Sequence, residues 1–412
     1  MAIVNPTIFG KGGGIESAIV VTVESGSTVT AVNGANVLTA VADENGARLK
    51  LTVPGIWSVT ATLDGKTTVS KTVVVPEEYP VTLRFETVIT KLSETLPLST
   101  ERLWLAGVSF YDYAIFAGGD PGGNYNYNYS SVINAIDLSL TRILPTALSV
   151  GRKNLAGACN ERYALLAGGI AGASSNSDIV DTYDRSLVRM TPTALSVGRS
   201  SFTGTSVGNH ILFAGGDESR VVDAYDLELT RNTPTQLDGG GRDNASASIG
   251  GYALFAGGVN TFYFDKVEGY TSDLVHISLT SLSSGKERLA GSETSEYAFF
   301  AGGGSGSNVT STVDAYDSLL TRTTPENLTS ARSGLVGARS GNQVIFVGGM
   351  NSSNRYLKAV DAYDALLVHT VPPELSEARC YLAGASIGNY TLFGGGVKDT
   401  AVSNTIEVYA AE

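Results

Sequence analysis

The chain is poor in the residues that cross-link a protein or hold metals. Its 412 residues include two cysteines, Cys159 and Cys380, and three histidines, His210, His276 and His369. Two cysteines so far apart exclude a disulfide framework, and we expect both to be small buried hydrophobic residues. The histidines fall at positions of the chain that we interpret as unrelated, and a metal site needs clustered ligands. We therefore expect no metal site and no cofactor.

Positive charge is also scarce. The sequence has 28 Lys and Arg against 40 Asp and Glu, a net charge of -12. This balance argues against a nucleic-acid partner, because phosphate neutralisation needs a basic surface. No run approaches the roughly 18 apolar residues of a membrane span. The opening residues, M-A-I-V-N-P-T-I-F-G, lack the apolar region of a secretory signal, so we expect synthesis in the cytoplasm without that export route.

Catalytic motifs are missing as well. Neither G-x-S-x-G nor H-E-x-x-H occurs, and F-G-K-G-G-G at residues 9–14 lacks the spacing of a phosphate-binding loop. The sequence alone therefore predicts a protein that is not an enzyme.

Glycine, by contrast, is abundant, with 48 residues, and much of it stands in one repeated segment. A short apolar run ending in Gly-Gly, such as Y-A-L-F-A-G-G, occurs seven times, beginning at Tyr113, Tyr163, His210, Tyr252, Tyr297, Gln343 and Tyr390. Successive copies are 50, 47, 42, 45, 46 and 47 residues apart. Such a run predicts a fully buried strand that ends where the backbone turns sharply.

Three further strands recur with each copy. A small-residue strand (a) precedes the Gly-Gly strand (b), and then come a strand like V-D-A-Y-D (c) and a strand like L-T-R-T-T-P (d). Four short strands repeated seven times without helical periodicity are typical of an all-β, seven-bladed β-propeller.

This pattern resembles the kelch family, whose repeats carry an apolar strand ending in Gly-Gly and an aromatic residue on the next strand. The resemblance covers residues 87–412. It departs from the family in one respect, because the strand-d tryptophan is absent: Trp57 and Trp104 are the only tryptophans and lie elsewhere.

The last repeat has no strand d, since the chain ends after S-N-T-I-E-V-Y-A-A-E. Ahead of the first repeat, V-I-T-K-L-S-E-T-L-P from Val88 reads like a strand d without its own blade. An open ring would expose long unpaired edges. We therefore predict that residues 87–98 close blade 7.

Residues 1–76 lack the repeat and alternate apolar and polar residues between turns such as D-E-N-G, which predicts a small antiparallel β-sandwich. The stretch resembles immunoglobulin-like or transthyretin-like modules of bacteriophage tail proteins. Residues 77–86, beginning near P-E-E-Y-P, are the predicted linker. The resemblance implies a virion location, with this module binding other virion or scaffold proteins.

One candidate site is a series of arginines ahead of strand a. They are Arg102, Arg152, Arg199, Arg242, Arg288, Arg332 and Arg379. Their distances to the first Gly of Gly-Gly are 16, 16, 16, 15, 14, 16 and 16 residues. We interpret them as a ring of guanidiniums around one mouth of the channel. A matching series on strand c is mostly acidic: Asn134, Asp181, Asp223, Glu268, Asp314, Asp361 and Glu407. The alternative is that each Arg pairs with carboxylates or carbonyls and ties the blades together.

The second candidate is the longest b–c loop, D-P-G-G-N-Y-N-Y-N-Y-S-S from Asp120. Its candidate binding residues are Asn124, Tyr125, Tyr127 and Tyr129. Alternating amides and flat aromatic rings are typical of binding loops. The alternative is a solvated loop of low complexity.

Three functions remain open. The first is a non-enzymatic adhesin or appendage. The phage resemblance implies a receptor-binding or decoration protein that recognises a cell-surface glycan or protein. The second is a sugar-modifying enzyme of the kelch kind, similar to a sialic-acid mutarotase. The third is an intracellular protein–protein scaffold.

Overall fold

The computed structural model describes residues 7–8, 17–21, 26–34, 36–42, 47–51, 55–62, 69–75, 88–93, 96–122, 127–173, 175–399 and 401–411. The chain divides into two compact units, Met1–Val88 with Glu412, and Ile89–Ala411. The predicted linker at 77–86 lies outside the described residues. Within them, no helix has the length and apolarity needed to cross a membrane.

The first unit consists of two antiparallel sheets. One sheet orders its strands as Thr7–Ile8, Ser17–Val21 and Ala47–Leu51. The other orders its strands as Asn36–Val41, Thr28–Asn33, Gly55–Thr62 and Val69–Val75. Alternate residues of the central strands are buried, including Val29, Ala31, Trp57 and Val59, because successive side chains of a strand point to opposite faces.

The second unit is a β-propeller of seven antiparallel sheets among the described residues. Strands a are Ala106–Phe110, Ala156–Cys159, Thr203–Val207, Ala245–Ile249, Ala290–Glu293, Val336–Ser340 and Ala383–Ile387. Each strand a contacts the strand a of the next blade, and the last contacts the first, so the ring is closed. Strands b are Tyr113–Ala117, Ala164–Ala167, His210–Ala214, Tyr252–Ala256, Tyr297–Ala301, Gln343–Val347 and Tyr390–Gly394.

The outer half of each blade is formed by strands c and d. Strands c are Ile133–Asp137, Val180–Tyr183, Val222–Tyr225, Val267–Thr271, Val313–Asp317, Val360–Asp364 and Thr405–Ala411. Strands d of blades 1 to 6 are Arg142–Ile143, Arg189–Met190, Arg231–Asn232, His276–Ser278, Arg322–Thr323 and His369–Thr370. Short outer strands leave little unpaired edge.

Three small sheets decorate the loops. Arg152–Lys153 pairs with Ile170–Ala171, which pairs with Ser175–Asn176. Two hairpins form within the b–c loops of blades 5 and 7, Gly304–Ser305 with Asn308–Val309, and Val397–Lys398 with Ala401–Val402.

The prediction that an N-terminal strand closes the propeller is confirmed. Ile89–Lys91 pairs antiparallel with strand c of blade 7, and Leu96–Pro97 pairs further along the same strand. Ile89 and Leu98 are buried, with 7% and 1% of their surface exposed. Blade 7 therefore takes its outer strand from the opposite end of the propeller sequence.

The Gly-Gly pairs link each blade to its neighbour. The second glycine donates its N–H to the carbonyl of the residue that begins the next blade, for example Gly119 to Arg152 at 2.8 Å, and Gly396 to Arg102 at 2.8 Å closes the ring. Both glycines of blade 1 have left-handed φ values, and a Cβ at Gly118 would lie 2.6 Å from the Arg152 carbonyl oxygen. The motif is therefore required by a close backbone approach between blades.

Candidate functional site

Most of the predicted arginine series is buried inside the blades. Arg102, Arg152, Arg199, Arg332 and Arg379 are 0–1% exposed. Arg152 shows the arrangement: its guanidinium donates to the carbonyl oxygens of Gly168 and Ile179 and pairs with Asp181. Such a side chain holds the ends of strands b and c to the segment that enters the blade. The pairing with a carboxylate and with carbonyl oxygens is that of the alternative interpretation, but the side-chain partners of Arg152 lie in its own blade and not in a neighbouring one.

The predicted ring of seven guanidiniums around the mouth is wrong for these five buried arginines, and the alignment of the series by residue type is wrong in blades 4 and 5. In the other blades the carbonyl of the buried arginine accepts the N–H of the second glycine of the preceding blade. In blade 4 this acceptor is the carbonyl of residue 241, and in blade 5 it is that of residue 286. The residues equivalent to the buried arginines are therefore Gly241 and Lys286. Lys286 is fully buried and lies 3.1 Å from Asp314. We call the five buried arginines and Lys286 the buried cation layer.

The strand-c series is buried in all seven blades, at 0–2% exposure. A second cation on strand d approaches it in most of them. Arg189 lies 3.9 Å from Asp181, Arg322 lies 3.7 Å from Asp314, and Lys91 of the closing strand pairs with Glu407. Although burial opposes it, the hydrogen bond from Lys91 and the charge of Arg379 lower the pKa of Glu407. The N-terminal strand thus supplies blade 7 with its strand-d cation.

The expectation that the histidines are unrelated is also wrong for two of the three. His276 lies 2.8 Å from Glu268, and His369 lies 2.7 Å from Asp361, each at the strand-d cation position. The signal is present in the sequence, since L-V-H in blades 4 and 6 stands where other blades have L-T-R or L-V-R.

Two positions beyond the buried cation layer, a second ring of residues surrounds the channel. It is Trp104, Asn154, Ser201, Asp243, Arg288, Gly334 and Tyr381, which we call the mouth ring. All seven have left-handed φ values between 51° and 65°. Each donates its N–H to the carbonyl of the ring residue in the preceding blade, at 2.8–3.2 Å, so the hydrogen bonds form a closed circle.

The mouth ring borders a central cavity of about 500 Å³ to which all seven blades contribute. Beneath the ring lies a mostly apolar layer: Leu105, Leu155, Phe202, Asn244, Leu289, Leu335 and Leu382. The site is thus a polar and aromatic rim above an apolar floor, the composition expected of a ligand pocket.

The mouth ring has an aromatic side and a charged side. The rings of Trp104 and Tyr381 are 5.6 Å apart and tilted by 50°. Gly334 leaves room for Tyr381, because a Cβ there would lie 3.1 Å from the tyrosine ring. On the charged side, Arg288 Nε lies 3.3 Å from Asp243 Oδ2, and both side chains are partly exposed. Arg242 also lines the cavity and is exposed.

Burial perturbs the acids of this charged side. It raises the pKa of Asp243 against the opposing effect of Arg288. Burial likewise raises the pKa of Glu287, whose Oε2 has no hydrogen-bond partner among the described residues. The pKa of Tyr381 rises to about 12, also through burial.

The tyrosine loop reaches this rim through Tyr129. Lys153 Nζ lies 4.7 Å from the Trp104 ring centroid and 4.6 Å from that of Tyr129, and it pairs with Asp120 at 3.0 Å. Tyr127 is 48% exposed. Asn124 and Tyr125 lie outside the described residues. Of the predicted site residues, the structure therefore brings Tyr129, Arg242 and Arg288 to the mouth.

Comparison with known proteins bears on the fold. No protein-family model matches the sequence, and no curated protein matches it. A solved structure of YjhT is similar, with a TM-score of 0.50 and 15% identity over 63% of this chain and 95% of that chain. At this identity the likeness concerns the fold alone, and it agrees with the β-propeller described above.

Proposed function

We propose that this protein is a non-enzymatic binding protein whose mouth ring recognises a cell-surface glycan. The observation that carries the proposal is the contrast within the ring: the backbone repeats in all seven blades, but no side chain occurs twice. A left-handed conformation costs a residue other than glycine roughly 1–2 kcal/mol. Gly334 avoids that cost, and Asn and Asp tolerate the conformation better than most residues, so the other four side chains are there for something other than stability.

The chemistry of the rim suits a carbohydrate. Trp104 and Tyr381 offer flat faces to the apolar side of a sugar ring. Asn154 and Ser201 offer hydrogen-bond partners, and Arg242 and Arg288 offer guanidiniums to an acidic group. The net charge of -12 does not prevent this, because charges beyond about 10 Å are screened while guanidiniums act at contact range.

The tyrosine loop would extend the site outward. Tyr129 and Trp104 flank Lys153, so the loop is continuous with the rim. It is also the longest of the b–c loops, and a second sugar residue would meet it on leaving the mouth.

The wider setting we propose is a phage particle, with the N-terminal module binding other virion or scaffold proteins. This step rests on the sequence resemblance of residues 1–76. Mass spectrometry of purified phage particles would test this setting. Presence of the protein in the particles would support it, and presence only as free protein would contradict it.

The binding proposal is tested on a glycan array with the full chain. Trp104→Ala and Tyr381→Ala should each weaken binding on the order of tenfold or more, since stacking on an aromatic ring contributes roughly 1–3 kcal/mol where it has been measured on bases. Tyr111→Ala, in the a–b turn of blade 1, is the matched aromatic control and should bind normally. Glycan binding that survives both rim variants would remove the mouth ring from the site. Joint replacement of Tyr125, Tyr127 and Tyr129 by Ala tests the loop separately.

A second candidate is an enzyme that moves protons on a bound sugar, as a mutarotase does. The pKa values of Asp243 and Glu287, which burial raises, favour it, because a raised pKa helps a carboxyl group to hold the proton that it transfers. Anomer exchange followed by NMR on any sugar that binds would separate the two. If the protein accelerates anomer exchange and the Asp243→Asn variant does not, the protein is an enzyme. If the exchange rate is the same with and without the protein, the binding function stands.

A further inference from the structure

The strand-c acid of blade 4 has an environment unlike that of the other blades. Glu268 is 2% exposed. Its Oε2 accepts from the N–H of Asp238 at 2.6 Å and contacts His276 Nε2 at 2.8 Å, and its Oε1 accepts from the N–H of Gly239 at 2.9 Å. No member of the buried cation layer reaches it, because the equivalent position is Gly241.

A second hydrogen-bond donor to the strand-c acid is replaced in the same blade. Three residues before the buried cation, the other blades carry Ser or Thr, and in blades 2, 5, 6 and 7 this hydroxyl contacts the strand-c acid. Examples are Ser149 with Asp181 at 3.1 Å and Ser376 with Glu407 at 2.8 Å. In blade 4 this residue is Asp238, as its N–H bond to Glu268 shows.

Both replacements, of the arginine by Gly241 and of the serine or threonine by Asp238, make the surroundings of the strand-c acid more negative. Blade 2 surrounds one acid, Asp181, with two arginines. Blade 4 surrounds Glu268 with a second carboxylate and one imidazole. A buried carboxylate is stable only when it is paired, so the missing positive charge at this place points to a bound cation.

The ligand atoms already converge. One atom each of Asp238, Glu268 and His276 lie within 4.8 Å of one another. Asp238 is exposed, which gives an ion a path from solvent. No side chain can replace the ion from position 241, because a Cβ there would lie 2.4 Å from the Val259 carbonyl oxygen.

We propose that Asp238, Glu268 and His276 bind a divalent metal ion that takes the place of the missing guanidinium in blade 4. Two carboxylate oxygens and one imidazole nitrogen suit zinc, with bonds of about 2.0–2.2 Å and water completing the coordination. Nε2 of His276 would exchange its hydrogen bond with Glu268 for a bond to the ion. The ion would tie strand d, strand c and the entering segment of blade 4 together.

The experiment uses the full chain after treatment with a chelator. Calorimetric titration with zinc chloride at neutral pH should give one ion per chain, and zinc should raise the melting temperature, because a ligand that binds only the folded state stabilises it. Cobalt substitution should give the visible absorption of a site with nitrogen and oxygen ligands.

Two variants and one control locate the ion. Asp238→Ser installs the residue type found in other blades, and His276→Gln removes the imidazole; each should lower zinc affinity on the order of tenfold or more. His369→Gln is the matched control, since His369 has the same place in blade 6 but Arg332 and Thr329 are present there. It should bind zinc as the unmodified chain does.

Two results would overturn the proposal. One is no zinc uptake by the unmodified chain, which would leave Glu268 with His276 and the two backbone N–H groups as its partners. The other is uptake that Asp238→Ser does not weaken, which would place zinc elsewhere.

Discussion

The buried cation layer and the mouth ring lie two residues apart on the same linkers, six of which carry a member of the layer, yet they differ in kind. The layer repeats: five arginines and one lysine, each beside a carboxylate or, in blade 1, the amide of Asn134. The mouth ring repeats only in its backbone, and its side chains range from Gly334 to Trp104. Buried groups must satisfy the same hydrogen bonds in every blade, whereas the rim faces a cavity and has no such requirement.

This difference separates the residues that hold the propeller from those free to carry function. A change in the buried cation layer should therefore lower the free energy of unfolding, and a change in the mouth ring should alter binding instead. Blades 1 and 4 are the informative exceptions, because one has a buried guanidinium without an acid and the other has an acid without a guanidinium.

The largest expected effect is loss of the closing strand. Deleting residues 1–98 removes Ile89–Lys91 and Leu96–Pro97 and leaves the outer edge of Thr405–Ala411 without a partner. Burial of Ile89 and of Leu98 alone stabilises by roughly 1.5–3 kcal/mol each. We expect this truncation to aggregate or melt without cooperativity, whereas deletion of residues 1–76 should leave a folded propeller. Circular dichroism melts and gel filtration measure both, and equal cooperative melts would disprove closure.

The next effect concerns one member of the buried cation layer. Arg332→Ala leaves Asp361 buried without its guanidinium, with His369 and Thr329 as its remaining partners, and removal of one partner of a buried pair costs about 3–5 kcal/mol. Arg332→Lys should cost less, because blade 5 already uses Lys286 at this position. Urea unfolding measures both changes. A loss below about 1 kcal/mol for the alanine variant would mean that the layer does not hold the blades.

A gain in stability is expected in blade 1. Arg102 donates to the carbonyl oxygens of Gly118 and Val132 and to Asn134 Oδ1, but no carboxylate pairs with it among the residues that the structure describes. Burial lowers the pKa of Arg102 to about 10, so keeping this group charged and buried costs free energy below that pH. Asn134→Asp should raise the free energy of unfolding by about 1–3 kcal/mol through a charge-assisted bond. The gain should disappear as pH falls through the pKa of the new carboxylate. Urea unfolding at neutral and at acid pH measures this. A gain of the same size at both pH values would contradict the prediction.

The sequence predicted the scaffold better than the rim, and the reasons are physical. The Gly-Gly repeats and the strand-d likeness at Val88 are local patterns, so they predicted seven blades and the N-terminal closing strand. The arginine series was aligned by residue type, but the register is set by a backbone hydrogen bond to Gly241 and Lys286. The distances of 15 and 14 residues in blades 4 and 5 were the available signal. Nothing in the sequence predicts left-handed φ values at Trp104 or Tyr381, because such values are uncommon outside glycine.

The smallest effect on stability is expected at the mouth ring. Arg288→Gly introduces at φ 53° the residue type that blade 6 has in Gly334. It removes the backbone strain of a non-glycine residue with a left-handed φ. It also removes a partly exposed ion pair with Asp243, and such pairs contribute roughly 0–1 kcal/mol. The two terms oppose each other, so the free energy of unfolding should change by less than about 1 kcal/mol. Any glycan that the unmodified chain binds through an acidic group should nevertheless bind more weakly, because the guanidinium is lost. Urea unfolding and the glycan array measure the two outcomes on one preparation. A loss of stability as large as that of Arg332→Ala would assign the mouth ring to the scaffold and end the distinction between the two rings.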